Sequence, residues 1–297
     1  MKRTASALTG IALMIMSMAL LALMDTTGKA LTGTTPVLMV LFFRYFFQAV
    51  ITTAVVLPTQ GRAVIRTAHP RFQVVRGSLL FSCTLLSLYS LKYLPVGEFT
   101  AIVKISPLVI TLFAAITLHE RVSGLRWVLV FGGFLGTLLI VRPGGASFSW
   151  AMLLPLCMVA LTASFQVLTS KMSGTEKGAT THFYTGWVGT LLAAIPMAFS
   201  WQALPLVTWG MLILMGVLGT TGHYLLILAY SQAPASTLTP YLYGQIGFAM
   251  LGGWLVFDHL PDAWSLAGIG LIAFCGAAGA WWTAREGRVL TPAASPS

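Results

Sequence analysis

Long apolar stretches separated by short polar segments run along the whole chain. Stretches such as 8–24 and 127–141 are continuously apolar over roughly the length of a membrane-spanning helix, whereas a membrane β-strand alternates apolar and polar residues over about ten positions. Turn residues and charges separate successive stretches. The pattern predicts ten spanning helices, near residues 7–25, 36–57, 73–93, 95–118, 124–141, 150–171, 182–199, 207–230, 235–257 and 263–284.

The composition indicates an all-α integral membrane protein without a soluble domain. Of the 297 residues, 57% are hydrophobic and 8% are charged, which is too little polar surface for a water-soluble globule. The basic N-terminus resembles a signal peptide but lacks a small-residue cleavage site, so we predict a retained first helix. The apolar stretches contain Cys83, Cys157 and Cys275 without paired spacing, which predicts buried thiols.

Most basic residues lie on one side of the predicted bundle. That side carries Lys2, Arg3, Arg62, Arg66, Arg71, Arg76, Arg121, Arg126, Lys171, Lys177, Arg285 and Arg288. The other side carries only Lys29, Lys92 and Arg142. Because basic residues accumulate in cytoplasmic loops, we predict a multi-pass protein of the cytoplasmic (inner) membrane with both termini cytoplasmic. The same rule explains the net charge of +10, so no nucleic-acid partner is predicted.

The two halves of the chain repeat one order of features. Pro95 aligns with Pro234, and in both halves an apolar span, an acid, a short loop and a glycine-rich span follow. Because five helices are an odd number, the second half enters the membrane from the opposite side. We therefore predict two inverted-topology five-helix repeats, 1–145 and 146–297, in one membrane domain with a site near its midplane.

Several motifs resemble the EamA-type members of the ten-helix drug/metabolite transporter superfamily over about residues 8–285. They are DTTGKAL, FFRYFF, LKYLPVGEFTAI, SPLVITLFAAITLHERV and QAPASTLTPYLYG. Two features depart from the family pattern. Helix nine has Gln245-Ile246 where the family usually has a proline counterpart of Pro107, and Lys104 stands where the family usually has an apolar residue. The resemblance implies a carrier that works by alternating access, with a central cavity and no catalytic residues. It also implies a homodimer contact through the final helix of each half.

Lys104 is a cation deep inside the fourth apolar stretch. Such a residue is costly in a membrane and is normally kept for a substrate, a pathway or a partner. On a helix it shares a face with Gly97, Thr100 and Ala101, which are small or hydroxylic. We predict that Lys104 binds substrate. The alternatives are pairing with an acid elsewhere, or extension to the outer interface roughly 13 Å away.

Four other charged positions are candidates. Arg44 is a second buried cation, which either contacts substrate or clamps helix ends. Asp25 and Lys29, placed at the outer end of helix one, are four residues apart and can pair. Alternatively, Asp25 is a counter-ion to Arg44 or a coupling carboxylate. Glu98 has a structural, rim or coupling role near the outer surface, and proton coupling through Asp25, Glu98 or His223 is a hypothesis.

The second half contributes aromatic, imidazole and amide groups. His223 in helix eight and Gln245 in helix nine are polar at depth and need partners. We predict that both contact substrate, although a neutral His223 bonded to a neighbouring helix is an equal alternative. Tyr241 and Tyr243 bracket the repeat counterpart of the helix-four lysine, and Tyr89 lies deep in helix three. These three tyrosines are predicted pocket residues, with packing as the alternative.

Glycines at helical spacing predict close packing in the last helix of each half. They are Gly132 and Gly136 in helix five, and Gly268, Gly276 and Gly279, with Cys275, in helix ten.

The chain lacks the arrangements that membrane-embedded enzymes use. It has no HExxH metal motif, no GxSxG elbow and no acidic pair inside the membrane, so neither an enzyme, a metal nor a cofactor is predicted. The predicted function is secondary transport of a small polar metabolite. Two buried cations against few buried acids favour an anionic or zwitterionic substrate. The alternatives are export of amphipathic or cationic compounds, and a non-transporting membrane scaffold subunit.

Overall fold

Helices form most of the described structure. The computed structural model describes residues 2–106, 109, 124–142, 149–172, 175–232 and 238–289. Its helices are α1 (Lys2–Thr34), α2 (Val37–Gln60), α3 (Pro70–Tyr93), α4 (Val96–Val103), α5 (Gly124–Val141), α6 (Leu153–Met172), α7 (Gly178–Ala198), α8 (Leu206–Gln232), α9 (Gly244–Phe257) and α10 (Ala263–Val289). Within these residues there is no strand, which confirms the predicted all-α fold with ten helices.

The helices suit a bilayer in length and in surface. Four contain segments long and apolar enough to cross a membrane, namely Leu8–Thr34, Val37–Thr59, Pro70–Tyr93 and Leu206–Leu226. Large apolar side chains are exposed around the bundle, among them Phe131, Ile195, Leu255 and Phe274. Lipid chains, rather than water, are the environment in which such a surface is stable.

Helix α1 is longer than the sequence predicted. It continues to Thr34, and the hydroxyls of Thr26 and Thr27 donate to the carbonyls four residues earlier, at 2.9 and 2.8 Å, so these polar side chains are satisfied within the helix. Asp25 consequently lies about 13 Å inside the end of the helix, at 1.5 Å per residue. The prediction that placed Asp25 and Lys29 at the outer end of helix one is wrong.

The regular part of α4 ends at Val103, with Lys104 as its C-cap. A proline at position 107 has no N–H for the carbonyl of Val103. The Ser106 hydroxyl donates to this carbonyl instead. In the second half, α9 begins at Gly244 after a 3₁₀ turn over Thr239–Tyr243. Pro107, Glu120 and the predicted continuation of helix four to residue 118 lie outside the described residues.

Each helix of the first half packs against helices of the second half. Helix α1 contacts α8 and α9, α2 contacts α7 and α8, α3 contacts α6 and α7, α4 contacts α9, and α5 contacts α10. If each helix is replaced by its counterpart five positions away in the chain, the α1–α8 contact becomes the α6–α3 contact, and the α2–α8 contact becomes the α7–α3 contact. Both of the resulting contacts are observed. Two-fold-related five-helix repeats would produce such a pattern. The predicted division near residue 145 lies outside the described residues and stays a prediction.

Polar contacts between loops define two ends of the bundle. At one, Arg142 Nη2 lies 2.7 Å from Asp262 Oδ2, and we name it the Arg142 end. At the other, Glu176 Oε1 accepts the Thr67 hydroxyl at 2.5 Å and the His69 amide at 3.0 Å, and we name it the Glu176 end. Both contacts join the first half of the chain to the second.

Helices α5 and α10 pack almost backbone to backbone. A Cβ atom at Gly268 would lie 2.5 Å from the Gly136 carbonyl oxygen, and one at Gly132 would lie 2.5 Å from Cys275 Sγ. This confirms the predicted close packing of these glycines. The contact lies within one chain, so it leaves the predicted homodimer contact without support from these residues.

The three cysteines are free thiols. Cys83 and Cys275 are buried as predicted, whereas Cys157 is exposed on α6. The prediction of a buried thiol is therefore wrong for Cys157, because an apolar stretch in a membrane protein also has a surface that faces lipid.

We expect Gly268→Ala to destabilise the protein, since its methyl group would meet a backbone atom of α5 that no side-chain rotation can move. Overpacking of this kind costs roughly 1–3 kcal/mol. The matched control is Gly270→Ala on the same helix, where an added Cβ meets nothing within 4 Å. Thermal unfolding in detergent measures both, and equal midpoints would contradict the packing described.

The Glu176 contact should make stability pH-dependent. Partial burial raises the pKa of Glu176, but the hydrogen bonds from Thr67, His69 and Ala68 outweigh it and hold the pKa below its usual value. A lowered pKa stabilises the fold above the ordinary value of about 4.5, and the effect is lost as the pH falls through the folded-state pKa. The unfolding midpoints of wild type and Glu176→Ala should therefore differ at pH 7 and converge in acid. A gap that widens in acid would contradict this.

Candidate functional site

Asp25 occupies the contact between α1 and α9, one helix from each half. Its Oδ2 accepts a hydrogen bond from Gln245 Nε2 at 3.1 Å, and each residue is 8% exposed. Farther along α9, Gly252 permits the approach of α1, since a Cβ there would lie 2.4 Å from Thr26 Oγ1. Asp25 and Gln245 therefore form a buried polar link between the two halves.

Lys29 and Asp25 do not form the pair that their spacing of four residues allows. Its ammonium donates to the carbonyls of Leu91 at 3.0 Å and Leu94 at 2.8 Å, and lies 5.4 Å from the ring centre of Phe257. The last carbonyls of a helix have no partner within it, and a lysine one turn beyond Asp25 reaches those of α3. The prediction of an Asp25–Lys29 pair is wrong, and Lys29 instead joins α1 to the end of α3.

Lys104 lies where regular α4 ends, about 12 Å from the beginning of the helix. It is half-buried, and its charge and that of Asp25 interact. Within the described ranges, the Lys104 ammonium has no hydrogen bond and no carboxylate within 4 Å. The predicted substrate lysine thus faces the central carboxylate without direct contact.

Arg44 is held in α2 by a hydroxyl rather than by an acid. Its Nη1 donates to Thr84 Oγ1 at 2.7 Å, and its guanidinium lies 5.4 Å from the ring centre of Tyr45. It is 8% exposed and interacts electrostatically with Asp25. A guanidinium has five N–H donors, and its other hydrogen bond among the described residues, to Met24 Sδ at 3.9 Å, is weak. Within the described part of the chain, Arg44 therefore has N–H donors left for a ligand.

Thr84 and Tyr45, which were not predicted from the sequence, complete the surroundings of Arg44. The Tyr45 hydroxyl lies 2.7 Å from Thr84 Oγ1, and the Tyr45 side chain is fully buried. Its ring rests on Gly189 of α7, where a Cβ would lie 2.3 Å from the ring. The sequence feature that could have indicated Tyr45 is its position directly after the buried Arg44 in FFRYFF.

Arg76 lies farther inside the membrane span than the sequence analysis assumed. It was grouped with the loop arginines, but α3 begins at Pro70, which places Arg76 about 9 Å into the helix. Its Nη1 donates to Thr185 Oγ1 at 2.6 Å, and its guanidinium lies 4.5 Å from the ring centre of Phe165. Pro70 is the sequence feature that could have placed Arg76 inside the helix, because proline is common at the first position of a helix.

Two histidines accompany the arginines. His223 interacts electrostatically with Arg44, Arg76 and His182. His182 interacts with Arg76, and its Nε2 atom is buried without a hydrogen-bond partner in the described structure. Helices α2, α3, α7 and α8 thus bring together Arg44, Arg76, His182 and His223, which we name the basic cluster. His223 was predicted, and His182 was not.

The other predicted site residues lie at helix contacts or at the rim. Tyr243, the last residue of the 3₁₀ turn before α9, packs against Gly276 of α10. Tyr89 and Tyr241 are half-buried against the apolar core around α1 and α2. Glu98 is 8% exposed, and its Oε1 lies 3.8 Å from His259 Nε2 near the Arg142 end. The predicted residues that the structure gathers are Asp25, Gln245, Lys104, Arg44 and His223.

The described residues contain no group of three His, Cys, Asp or Glu side chains that could hold a metal ion. An apolar groove between α5 and α10, lined by Leu135, Trp264 and Leu271, lies away from the polar residues above. The groove has little polar lining, so we do not assign the candidate site to it.

Comparison with known proteins identifies the family. Residues 8–142 match the EamA-like transporter family. The riboflavin transporter of Vibrio cholerae serotype O1 is 30% identical over 251 residues, covering 81% of this chain and 83% of its own. The chain belongs to the EamA-like transporter family. It is therefore a membrane transporter of small molecules.

Two further transporters and one solved structure are similar to this chain over most of its length. The S-adenosylmethionine uptake transporter of Rickettsia prowazekii is 26% identical and covers 89% of this chain and 90% of its own. The pseudopaline exporter of Pseudomonas aeruginosa is 29% identical and covers 88% and 92%. A crystal structure with 20% identity matches with a TM-score of 0.62 over 97% of this chain and 99% of its own. The fold therefore extends over nearly the whole chain.

Thr84→Val should destabilise the protein without changing the shape of the side chain. It removes the oxygen that both Arg44 and Tyr45 contact, and an unsatisfied buried polar group costs about 1–3 kcal/mol. The matched control Thr84→Ser keeps the hydroxyl and should unfold close to wild type. Thermal unfolding of the three proteins tests this, and a valine variant as stable as the serine variant would refute the shared role of Thr84.

Proposed function

We propose that this protein is a secondary transporter that moves a small anionic or zwitterionic metabolite across the cytoplasmic membrane. The observation that carries the proposal is the charge imbalance in the middle of the bundle. Lys104 and Arg44 lie on membrane helices, and the one carboxylate among the described residues whose charge interacts with both is that of Asp25.

Uncompensated cations are costly in a low-dielectric region, and a bound anion removes much of that cost. The hydroxyl of Thr84 satisfies part of the Arg44 guanidinium without neutralising its charge. An acidic group of the substrate would bind between Lys104 and Arg44. Gln245 holds Asp25 and keeps this carboxylate oriented within the site.

We further propose that transport occurs by alternating access between two inverted repeats. The exchange symmetry of the helix contacts supports this, as do polar contacts between the halves at both ends. Opening one end would break Arg142–Asp262, and opening the other would break the contacts of Glu176. In this proposal both termini are cytoplasmic and Asp25 is the group that would carry a coupling proton. The relatives include uptake transporters and an exporter, so the proposal names no direction.

The test is counterflow in proteoliposomes against a panel of anionic, zwitterionic and cationic metabolites. We expect saturable exchange of an anionic or zwitterionic compound, and Lys104→Met should abolish it while leaving the protein folded. Lys92→Met is the matched control, since Lys92 is exposed near the end of α3 and lies over Tyr93. It should transport like wild type.

Two results would oppose the proposal. Exchange of cationic compounds only would reverse the assigned substrate charge and favour the exporter alternative. No exchange of any compound by well-folded protein would favour the scaffold alternative.

A further inference from the structure

Two polar contacts hold the loop between α9 and α10 against the first half of the chain. This loop, residues 258–262, contributes His259 and Asp262. His259 Nε2 lies 3.8 Å from Glu98 Oε1 of α4. Asp262 Oδ2 lies 2.7 Å from Arg142 Nη2, directly after α5. Because each contact joins the two halves, both would have to separate for the Arg142 end to open.

The contact between Glu98 and His259 is incomplete. A distance of 3.8 Å suits an ion pair but is too long for a hydrogen bond. His259 Nε2 is buried and has no hydrogen-bond partner in the described part of the chain, and the same holds for Arg142 Nε and Ser265 Oγ. These three residues all interact with Glu98. Few buried polar atoms in native structures lack a partner, so a largely buried carboxylate lies here among polar atoms whose hydrogen-bonding capacity is unused.

The charged groups around this contact come from α1, α4, the end of α5 and the loop itself. They are Lys29, Glu98, Arg142, Asp258 and Asp262. Lys92, in the last turn of α3, lies over the ring of Tyr93 instead. Lysine, arginine and carboxylate groups ordinarily keep their charges between about pH 6 and 8, whereas histidine changes its charge there. His259 is therefore the member of this group whose charge follows the pH.

Protonation of His259 would convert the contact into an ion pair. An imidazolium 3.8 Å from a carboxylate is attracted to it, and the attraction is larger when the carboxylate has lost most of its water, as that of Glu98 has. A neutral imidazole gains no such attraction. Acid therefore stabilises the arrangement in which the loop lies against α4, and this stabilisation is lost when His259 gives up its proton.

We propose that Glu98 and His259 form a pH-sensitive latch, which closes the Arg142 end of the transporter when His259 is protonated. This inference rests on the alternating access of the proposed function and adds a control of one end. Lys29, near the end of α1, interacts with Glu98, so a cytoplasmic N-terminus would place the Arg142 end outside the cell. Acid outside would then favour the form that is open to the cytoplasm.

Distances across the Arg142 end test the latch. Spin labels on Lys92→Cys and Leu260→Cys would report them, since both positions are exposed and belong to opposite halves. The full-length protein, with Cys83, Cys157 and Cys275 replaced by alanine, would be placed in lipid nanodiscs. Pulsed electron double resonance gives the ratio of closed to open molecules. Between pH 8 and pH 6 we expect this ratio to rise roughly two- to fivefold, the size that a partly exposed ion pair provides.

Three variants of the labelled protein separate the latch from the rest of this end. His259→Gln keeps a polar side chain and Glu98→Gln keeps the shape of the carboxylate, and each should make the ratio independent of pH. Asp262→Asn is the matched control, because it weakens the other polar contact of the same loop and leaves the titrating pair intact. It should lower the closed fraction at both pH values and retain the rise in acid.

Two results would overturn the latch. One is a closed fraction that stays constant or falls when the labelled parent protein is acidified, since titration of a carboxylate would have that opposite sign. The other is a His259→Gln variant that responds to acid as the parent does. The compound exchanged in counterflow should shift the same ratio at pH 8. If it does, alternating access stands even without the latch, whereas a single distance under every condition would oppose both.

Discussion

The cost of keeping cations inside a membrane governs the centre of this protein. Insertion of a Lys or Arg at the middle of a membrane helix costs about 2.5–3.5 kcal/mol on translocon-based scales. Two such residues, Lys104 and Arg44, have one described central carboxylate, Asp25, whose charge interacts with both. The Thr84 hydroxyl accepts a hydrogen bond from Arg44 but leaves its charge. In the proposed function, an anionic substrate offsets the remaining positive charge.

Local features of the helices allow these polar groups to exist at depth. The hydroxyls of the threonines that follow Asp25 donate to carbonyls of their own helix, which satisfies them inside the membrane. In α4, the Ser106 hydroxyl reaches the Val103 carbonyl, so the chain can depart from regular helix beside Lys104 without leaving that carbonyl unpaired. Glycines at the α2–α7 and α3–α7 contacts let these helices approach closely, and across the α3–α7 contact Thr185 reaches Arg76.

The sequence was sufficient to predict the ten helices, and to single out Lys104, Arg44 and Gln245, because a polar residue in a long apolar stretch is visible without a structure. Partners were less predictable. The Asp25–Lys29 pair was inferred from spacing of four, but the exposed carbonyls of Leu91 and Leu94, 62 and 65 residues away, hold Lys29 instead. Arg76 was grouped with the basic loop residues because the number of basic residues on each side does not show where a helix begins, and α3 begins at Pro70. Tyr243 lies in the 3₁₀ turn before α9 and packs against α10, and depth in an apolar stretch does not reveal which neighbouring helix a side chain contacts.

The most direct measurement of the central claim changes the substrate instead of the protein. The transported compound and its amide, in which the acidic group is replaced by an uncharged one, would be compared for binding to wild type and to Lys104→Met. If Lys104 binds that acid, the amide should bind wild type roughly tenfold or more weakly, and the two compounds should bind the Lys104→Met variant nearly equally. An equal loss of affinity in both proteins would show that the acid and Lys104 act independently, which would contradict the account of an anion bound at the centre of the bundle.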